Sequence, residues 1–328
     1  MASCLVMFSG GLDSVIAVHL LKTQRLDVTA LHFVLPFESG IGKEHDAVRR
    51  YAAALDVPLR IEEEGREFLC MVKNPHFGYG KYANPCVDCR IHRLQKAKTI
   101  MEETGASFIA TGEVIGQRPM SQRRDSMFTV EKRSGLKGLL LRPLSAQLLP
   151  QTDAEIRGVV DRDKLLSICG RGRKHQFAYA KKHGLVHATP AGGCLLTEES
   201  TGRRFEDLRE HKTDFDIVEF SLLAYGRHFR LSPHTRVIVG RNHQENETMD
   251  TLVRKHDIRF QMADMEGPLG IANGDASPDE IRMAAAVVAR YSKARDCTSC
   301  RVLMQHEGRN EILEVVAADD EYCRFCRI

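Results

Sequence analysis

Several things are missing from this 328-residue chain. No apolar run approaches the roughly 20 residues that span a bilayer, so no membrane partner is expected. Residues 1–8 lack a basic leader region and their apolar stretch is short, so a secretory signal is not expected either. An excess of one charge is also absent. Forty-seven Lys and Arg face 44 Asp and Glu, a formal net charge of +3, and overall charge alone therefore implies no partner. Basic residues do cluster at 118–133 and 171–182, and such local patches can hold phosphates on a nearly neutral chain. Internal repeats and low-complexity segments are absent, and none of the histidines falls in an H-E-x-x-H or similar pattern. What remains reads as a cytoplasmic protein with real cores, long enough for two domains.

Cysteine is the residue present in excess. There are ten, and six form three C-x-x-C pairs: Cys86/Cys89, Cys297/Cys300 and Cys323/Cys326. A reducing compartment disfavours a disulfide framework, so pairs at this spacing point to metal or redox chemistry. The others are Cys4, Cys70, Cys169 and Cys194. A lone cysteine is by default a small buried apolar residue.

Pattern along the chain alternates strand and helix. "SCLVMF" is an apolar run with a turn signal behind it, "LDSVIAVHLLKTQ" a helix, "LDVTALHFVL" a second strand and "KEHDAVRRYAAALD" a second helix. "VPLRIE", "ASFIATGE" and "LKGLLLRPL" read as further strands, and "CRIHRLQKAKTIMEETG" as an amphipathic helix capped by Gly105. This is the signature of a doubly wound, parallel α/β domain. Two short helices are expected over 161–184. From about residue 225 the reading is strand, turn, strand and a polar turn through "NHQENETM", then a helix with Ser277 as N-cap and Glu280 three residues on. The expected domains are 1–210 and 226–328, the second a smaller α+β unit.

The loop after the first strand is Ser9-Gly10-Gly11-Leu12-Asp13-Ser14. It lacks the G-K-[ST] of a Walker A loop and is not G-x-G-x-x-G. A glycine-rich turn leading into a helix offers backbone N–H groups and a partial positive charge to a phosphate. S-G-G-x-D-S resembles the PP-loop of the ATP pyrophosphatases, an adenine nucleotide alpha hydrolase-like fold. The resemblance implies ATP bound by Ser9, Gly10, Gly11, Asp13 and Ser14, with Mg²⁺ served by Asp13, and pyrophosphate as leaving group. Phe33 at the end of the second strand and Gly112 would flank the adenine or ribose.

The stretch "NPCVDCRIHRLQKAKTIMEETGASFIATGEVIGQRPMSQ" narrows the family. Thr111-Gly112-Glu113, Gly116-Gln117 and Ser121-Gln122, followed by "RPL" at Arg142, resemble the tRNA 4-thiouridine synthetases, with one extra residue between Gln117 and Ser121. "NPCVDC" is also similar to the tRNA 2-thiouridylase motif N-P-D-x-x-C, with Cys86 in place of aspartate. The resemblance covers about residues 3–197. It implies ATP-dependent tRNA thiolation, with 4-thiouridine favoured. Gln117 is then expected at the nucleotide, and Arg118, Arg123 and Arg124 near tRNA phosphate. A sulfur donor, sulfide or a cysteine desulfurase, is also implied, and related enzymes suggest a homodimer.

Two sulfur routes stay open. A [4Fe–4S] cluster held by Cys86, Cys89 and Cys194, the last in the loop "TPAGGCLLTEES", is favoured. A persulfide on one cysteine with a second to resolve it is the alternative, beside a zinc site or plain structural thiols. A PP-loop pyrophosphatase acting on a small molecule is a further reading.

"RVIVGRNHQENETM" and "AAAVVARYSKAR" resemble the RNA-binding domain of NFACT proteins. Arg227, Arg230, Arg241, Asn242, Lys293 and Arg295 would then lie near RNA. Cys297, Cys300, Cys323 and Cys326, with 22 residues between the pairs, have the spacing of a Cys₄ zinc site.

Overall fold

The computed structural model describes residues 2–38, 42–189, 194–273 and 275–328. The chain folds as two compact units, Met1–Gly193 and Cys194–Ile328. Most of the glycine-rich loop expected before Cys194, residues 190–193, lies outside the described residues.

The first unit runs β1 (Ser3–Met7), α1 (Leu12–Lys22), β2 (Asp27–Val34), α2 (Gly42–Ala54), β3 (Leu59–Glu63), α3 (Arg66–Lys73), α4 (Cys86–Thr104), β4 (Phe108–Thr111), α5 (Arg124–Arg133), β5 (Leu140–Leu141), α6 (Asp153–Ile156) and α7 (Lys174–Lys182). Its five strands are parallel in the order β3-β2-β1-β4-β5. Successive side chains on a strand point to opposite faces, and here each face feeds a separate core. Cys4, Val6, Phe108 and Ala110 pack with Val15, Val18 and Leu21 of α1. Leu5, Leu31, Phe33 and Ile109 pack with Leu94, Ala97 and Ile100 of α4. Burial on both faces explains why these strands read as continuous apolar runs rather than alternations. Helix α4 ends where Gly105 takes a left-handed φ of 69°, as its sequence implies.

The strand order reverses at β1. The chain steps outward through β2 and β3, then returns to add β4 and β5 on the other side. In such sheets ligands bind at this switch point, beyond the carboxyl ends of the central strands. The loops after β1 and β4 therefore face the place where chemistry is expected.

The second unit comprises α8 (Glu199–His211), α9 (Ile217–Ser221), β6 (Arg227–Arg230), β7 (Arg236–Val239), α10 (His243–Thr251), β8 (Ile258–Met262), β9 (Gly270–Ala272), α11 (Pro278–Arg290), β10 (Cys300–His306), β11 (Arg309–Val315) and α12 (Asp320–Cys326). Its sheet is antiparallel, in the order β11-β10-β8-β9-β7-β6. Ala284, Ala285, Val287 and Val288 of α11 are buried against Val237, Phe260 and Val302 of the sheet; small side chains let the helix lie close. Helix α8 is tied to β6 by Asp207, whose carboxylate accepts from Arg230 Nε at 3.0 Å. The segment read as a polar turn is helix α10. Its start is fixed by Asn242, whose Oδ1 accepts from Glu245 N at 2.9 Å; a polar sequence can be helical when capped this way.

Ser277 caps α11 as its sequence implies. Its Oγ accepts from Glu280 N at 3.3 Å, and Glu280 Oε2 accepts from Ser277 N at 2.7 Å. Ser277→Ala should cost about 1 kcal/mol of second-unit stability, read as a lowered midpoint in denaturant unfolding. An unchanged midpoint would show that the cap contributes nothing.

Candidate active site

Between β1 and α1 the chain turns through Gly10 with φ of +72°, and an added Cβ there would lie 2.6 Å from the ring of Tyr51. Conformation and space both require glycine. Ser14 Oγ donates to Gly11 O at 2.8 Å, Gly11 N donates to Ser9 Oγ at 3.4 Å, and Ser9 N donates to Ser14 Oγ at 3.3 Å. Ala188 N donates to Gly10 O at 2.9 Å and holds the turn from outside. The result is a braced loop leading into a helix N-terminus, the geometry of an anion seat.

Gly112, just past β4, meets this loop backbone to backbone. A Cβ there would lie 2.6–2.7 Å from Asp13 C, Asp13 O and Ser14 N. Asp13 Oδ2 accepts from Gln117 Nε2 at 2.7 Å, and Gln117 Oε1 accepts from Gln176 Nε2 at 3.3 Å. Asp13 Oδ1 is buried with no hydrogen-bond partner. A buried carboxylate oxygen left without a donor is unfavourable. An oxygen of this kind suits a hard cation such as Mg²⁺, so Asp13 fits the metal that the PP-loop resemblance implies. The motif residues Ser9, Gly10, Gly11, Asp13, Ser14, Gly112 and Gln117 thus come together. Phe33 does not join them by its side chain, because its ring is buried in the core with Leu94 and Ala97.

Glu113 follows Gly112 and is buried. Its Oε1 pairs with Arg90 at 3.1 Å, and its Oε2 accepts from Arg142 Nε at 3.2 Å and Thr111 Oγ1 at 3.1 Å. Arg142 also donates to Glu131 Oε2 at 2.6 Å and to Met127 O at 3.0 Å. Burial by itself would raise the Glu113 pKa, but Arg90 and Arg142 outweigh it and hold the carboxyl below its usual range. This gives motif residues Glu113 and Arg142 a physical role that their sequence did not disclose.

Cys86 and Cys89 occupy the first turn of α4, with Pro85 at the N-cap position. Both are partly exposed, and an i, i+3 spacing sets them on one side of the helix. Burial pushes the Cys89 thiol up, against the pull of Arg93 and Arg90. The intervening Asp88 is buried and accepts from the backbone of His76 and Phe77, both at 3.0 Å. It anchors the loop that delivers the cysteines, a role the sequence reading missed.

Among the described residues no three His, Cys, Asp or Glu side chains are grouped so as to hold a metal ion. Cys86 and Cys89 belong to the first unit and Cys194 to the second. The four cysteines of the expected zinc set differ in their surroundings. Cys323 and Cys326, on one face of α12, are buried in the core with Cys300. Cys300 Sγ donates to Val315 O at 3.4 Å, while Cys297 is exposed. Cys300, Cys323 and Cys326 thus lie in one core, where a thiol packs as a small apolar group.

Several arginines expected near RNA have intramolecular partners. Arg230 pairs with Asp207, Arg241 with Glu245 and Arg295 with Asp296. Arg227 lies 4.7 Å from the centre of the Tyr291 ring, and Arg124 donates to Leu148 O at 2.8 Å. Asn242 and Glu245 are the capping pair of α10, so part of the V-G-R-N motif is structural.

Gly112→Ala should disrupt the first loop, since neither partner is a flexible side-chain end; overpacking typically costs about 1–3 kcal/mol. Nucleotide affinity measured by titration should fall at least tenfold, roughly the affinity equivalent of ~1.4 kcal/mol, and unaltered affinity would contradict the close approach. Glu113→Gln should cost about 3 kcal/mol at pH 7 by breaking a buried pair. The sign with pH follows from the depressed pKa. The contribution is complete above the unfolded value of about 4.3 and is lost as pH falls through the folded value. Denaturant unfolding should therefore show the gap to the wild-type chain closing in acid; a constant gap would refute the ionised pair.

Two family profiles match the chain: the tRNA methyl transferase HUP domain over residues 2–137 and the NFACT protein RNA binding domain over residues 226–325. The tRNA-specific 2-thiouridylase MnmA of Trichlorobacter lovleyi is 27% identical over 239 residues, 70% of this chain and 64% of that protein. The same enzyme of Syntrophotalea carbinolica is 33% identical over 118 residues, 33% of each chain. The chain thus spans less than two thirds of the length of these relatives. A solved 4-thiouridine synthetase–RNA complex with bound ATP aligns with a TM-score of 0.36 at 21% identity, over 56% of this chain and 50% of that one. Residues 2–137 therefore resemble the PP-loop HUP domain of tRNA-modifying proteins, and residues 226–325 the RNA-binding domain of NFACT proteins.

Proposed function

We propose that this chain binds MgATP at the Ser9–Ser14 loop, adenylates a uracil oxygen in tRNA and replaces that oxygen with sulfur. The observation that carries the reading is Asp13: its Oδ1 is buried without a partner, at a helix N-terminus on the switch point, inside S-G-G-x-D-S. The similarity to tRNA-specific 2-thiouridylases and to an RNA-binding domain supports tRNA as the substrate class.

Bound at Asp13, Mg²⁺ would neutralise charge on the departing pyrophosphate. The chain's own groups do the rest. Backbone N–H groups of the loop and the N-terminus of α1 hold the β,γ-phosphates. The uracil oxygen attacks the α-phosphorus, pyrophosphate leaves, and the base carries AMP. Displacement of AMP needs a sulfur nucleophile. The first unit offers two thiols on one helical turn. One thiol carries a persulfide from the donor, and its outer sulfur attacks the adenylated carbon, releasing AMP. The other thiol then attacks the inner sulfur, freeing the thiolated base and closing a Cys86–Cys89 disulfide that an external thiol reopens. The base leaves its stack to reach the loop. The motif residues favour 4-thiouridine, and the named relatives favour 2-thiouridine. A homodimer and a cysteine desulfurase as donor belong to this reading, as does cytoplasmic location.

The test is nucleoside mass spectrometry. Unmodified tRNA is incubated with the full chain, MgATP, a cysteine desulfurase with cysteine, and a thiol reductant. A thionucleoside should form only with ATP, its fragments telling 2-thio from 4-thio. Cys86→Ser and Cys89→Ser should each lower the yield at least a hundredfold, the order of loss seen when a covalent nucleophile is removed. Retained activity in both single variants would overturn the thiol route, and no thionucleoside from any tRNA would overturn the function.

A further inference from the structure

Gln176, on α7, is polar yet fully enclosed, with 0% of its surface exposed. Nothing in "KHQFAYAKK" marks it. Its Nε2 donates to Gln117 Oε1 at 3.3 Å, and Gln117 Nε2 donates to Asp13 Oδ2 at 2.7 Å. The direction of this relay is forced. A carboxylate only accepts, so Gln117 must turn its NH₂ toward Asp13 and its oxygen away. That oxygen only accepts, so Gln176 must present its NH₂ in turn. The relay ends at Gln176 Oε1, which is buried with no hydrogen-bond partner, as is Asp13 Oδ1 at the other end. Leaving a buried acceptor open at each end is unfavourable for the empty fold. The arrangement makes sense if the relay holds Asp13 in one orientation for something that arrives later.

We propose that Gln176 is a positioning residue for the nucleotide-bound metal. By locking the amide of Gln117, it confines the hydrogen bond to Asp13 Oδ2 and keeps Oδ1 turned out for Mg²⁺. This rests on the MgATP reading of the Ser9–Ser14 loop. Gln176 touches neither phosphate nor base; it acts through Gln117.

Polarity separates this role from simple space filling. Gln176→Glu keeps the size but cannot donate, so the Gln117 amide must turn and set its oxygen against Asp13. Gln176→Met removes the hydrogen bond without reversing it. Calorimetric titration of the full chain with ATP, with and without Mg²⁺, reads the difference. Gln176→Glu should weaken MgATP binding about tenfold or more, Gln176→Met about threefold, in line with the worth of a hydrogen bond to a charged relay. Metal-free ATP binding should change less than about twofold in either, since phosphate contacts to the loop do not need Asp13. Equal loss with and without Mg²⁺, or wild-type MgATP binding in Gln176→Glu, overturns the inference alone. Should Gln176→Glu not fold, the same magnesium-specific loss in Gln176→Met decides. Absence of MgATP binding in the wild-type chain would overturn the functional reading and this inference together.

Discussion

The site of the first unit depends on one buried carboxylate. Glu113 is removed from water between β4 and β5, and its desolvation costs several kcal/mol unless cations stand close. Arg90 and Arg142 supply them. Each comes from a different element, so satisfying the charge also fixes geometry. Arg142 holds the end of β5 and, through Glu131, helix α5. Arg90 is the residue after Cys89, so the pair that keeps Glu113 ionised also sets the first turn of α4. Gly112, one residue before Glu113, is pressed against the backbone of Asp13 and Ser14. The Ser9–Ser14 loop and the cysteine pair are thus referenced to the same short stretch, Thr111-Gly112-Glu113.

Two kinds of constraint cooperate in that stretch. Glu113 acts through charge, which is directional only in part and tolerates small movements. Gly112 acts through exclusion, since no side chain can occupy the contact. Together they leave little freedom at the switch point. Gln117, four residues after Glu113, then reaches back to Asp13. A turn that begins with a strand end and finishes with an amide can therefore hold the Asp13 carboxylate, the loop backbone and the cysteine helix together.

Much of this was legible in the sequence. Apolar runs bounded by turn signals gave the parallel sheet, and S-G-G-x-D-S gave the loop with its aspartate, because a tight glycine turn is a local feature. Gly105, Ser277 and Glu280 declared helix ends through caps that are local by nature. What stayed hidden was non-local. The partners of Glu113 lie 23 residues before it and 29 after it in the sequence, and only the fold brings them together. Gln176 is silent for the same reason, as its meaning comes from Gln117, 59 positions away. Helix α10 was misread because its polar residues carry no apolar periodicity; the Asn242 cap is its one local sign. The C-x-x-C pairs show what spacing alone leaves open. Spacing is a necessary property of a ligand set, and burial within α12 satisfies the same spacing by packing.

In the second unit, the motif that resembles the NFACT RNA-binding domain is tied into the fold it belongs to. In Val239-Gly240-Arg241-Asn242, the asparagine caps α10 and the arginine pairs with Glu245. Glu245 also accepts from the backbone of Gly226 and Arg241. Asn246 Oδ1 accepts from Leu269 N at 3.1 Å, joining the same turn to the lead-in to β9. An arginine held by a carboxylate is a weaker lure for phosphate than a free one, because its charge is already partly answered. It is also a stiffer one, and its guanidinium retains donors beyond those given to Glu245. If RNA is held here, the motif contributes shape and fixed donors more than net charge. That matches a chain whose formal charge is only +3, and it places the burden of recognition on contour and hydrogen bonding rather than on long-range attraction.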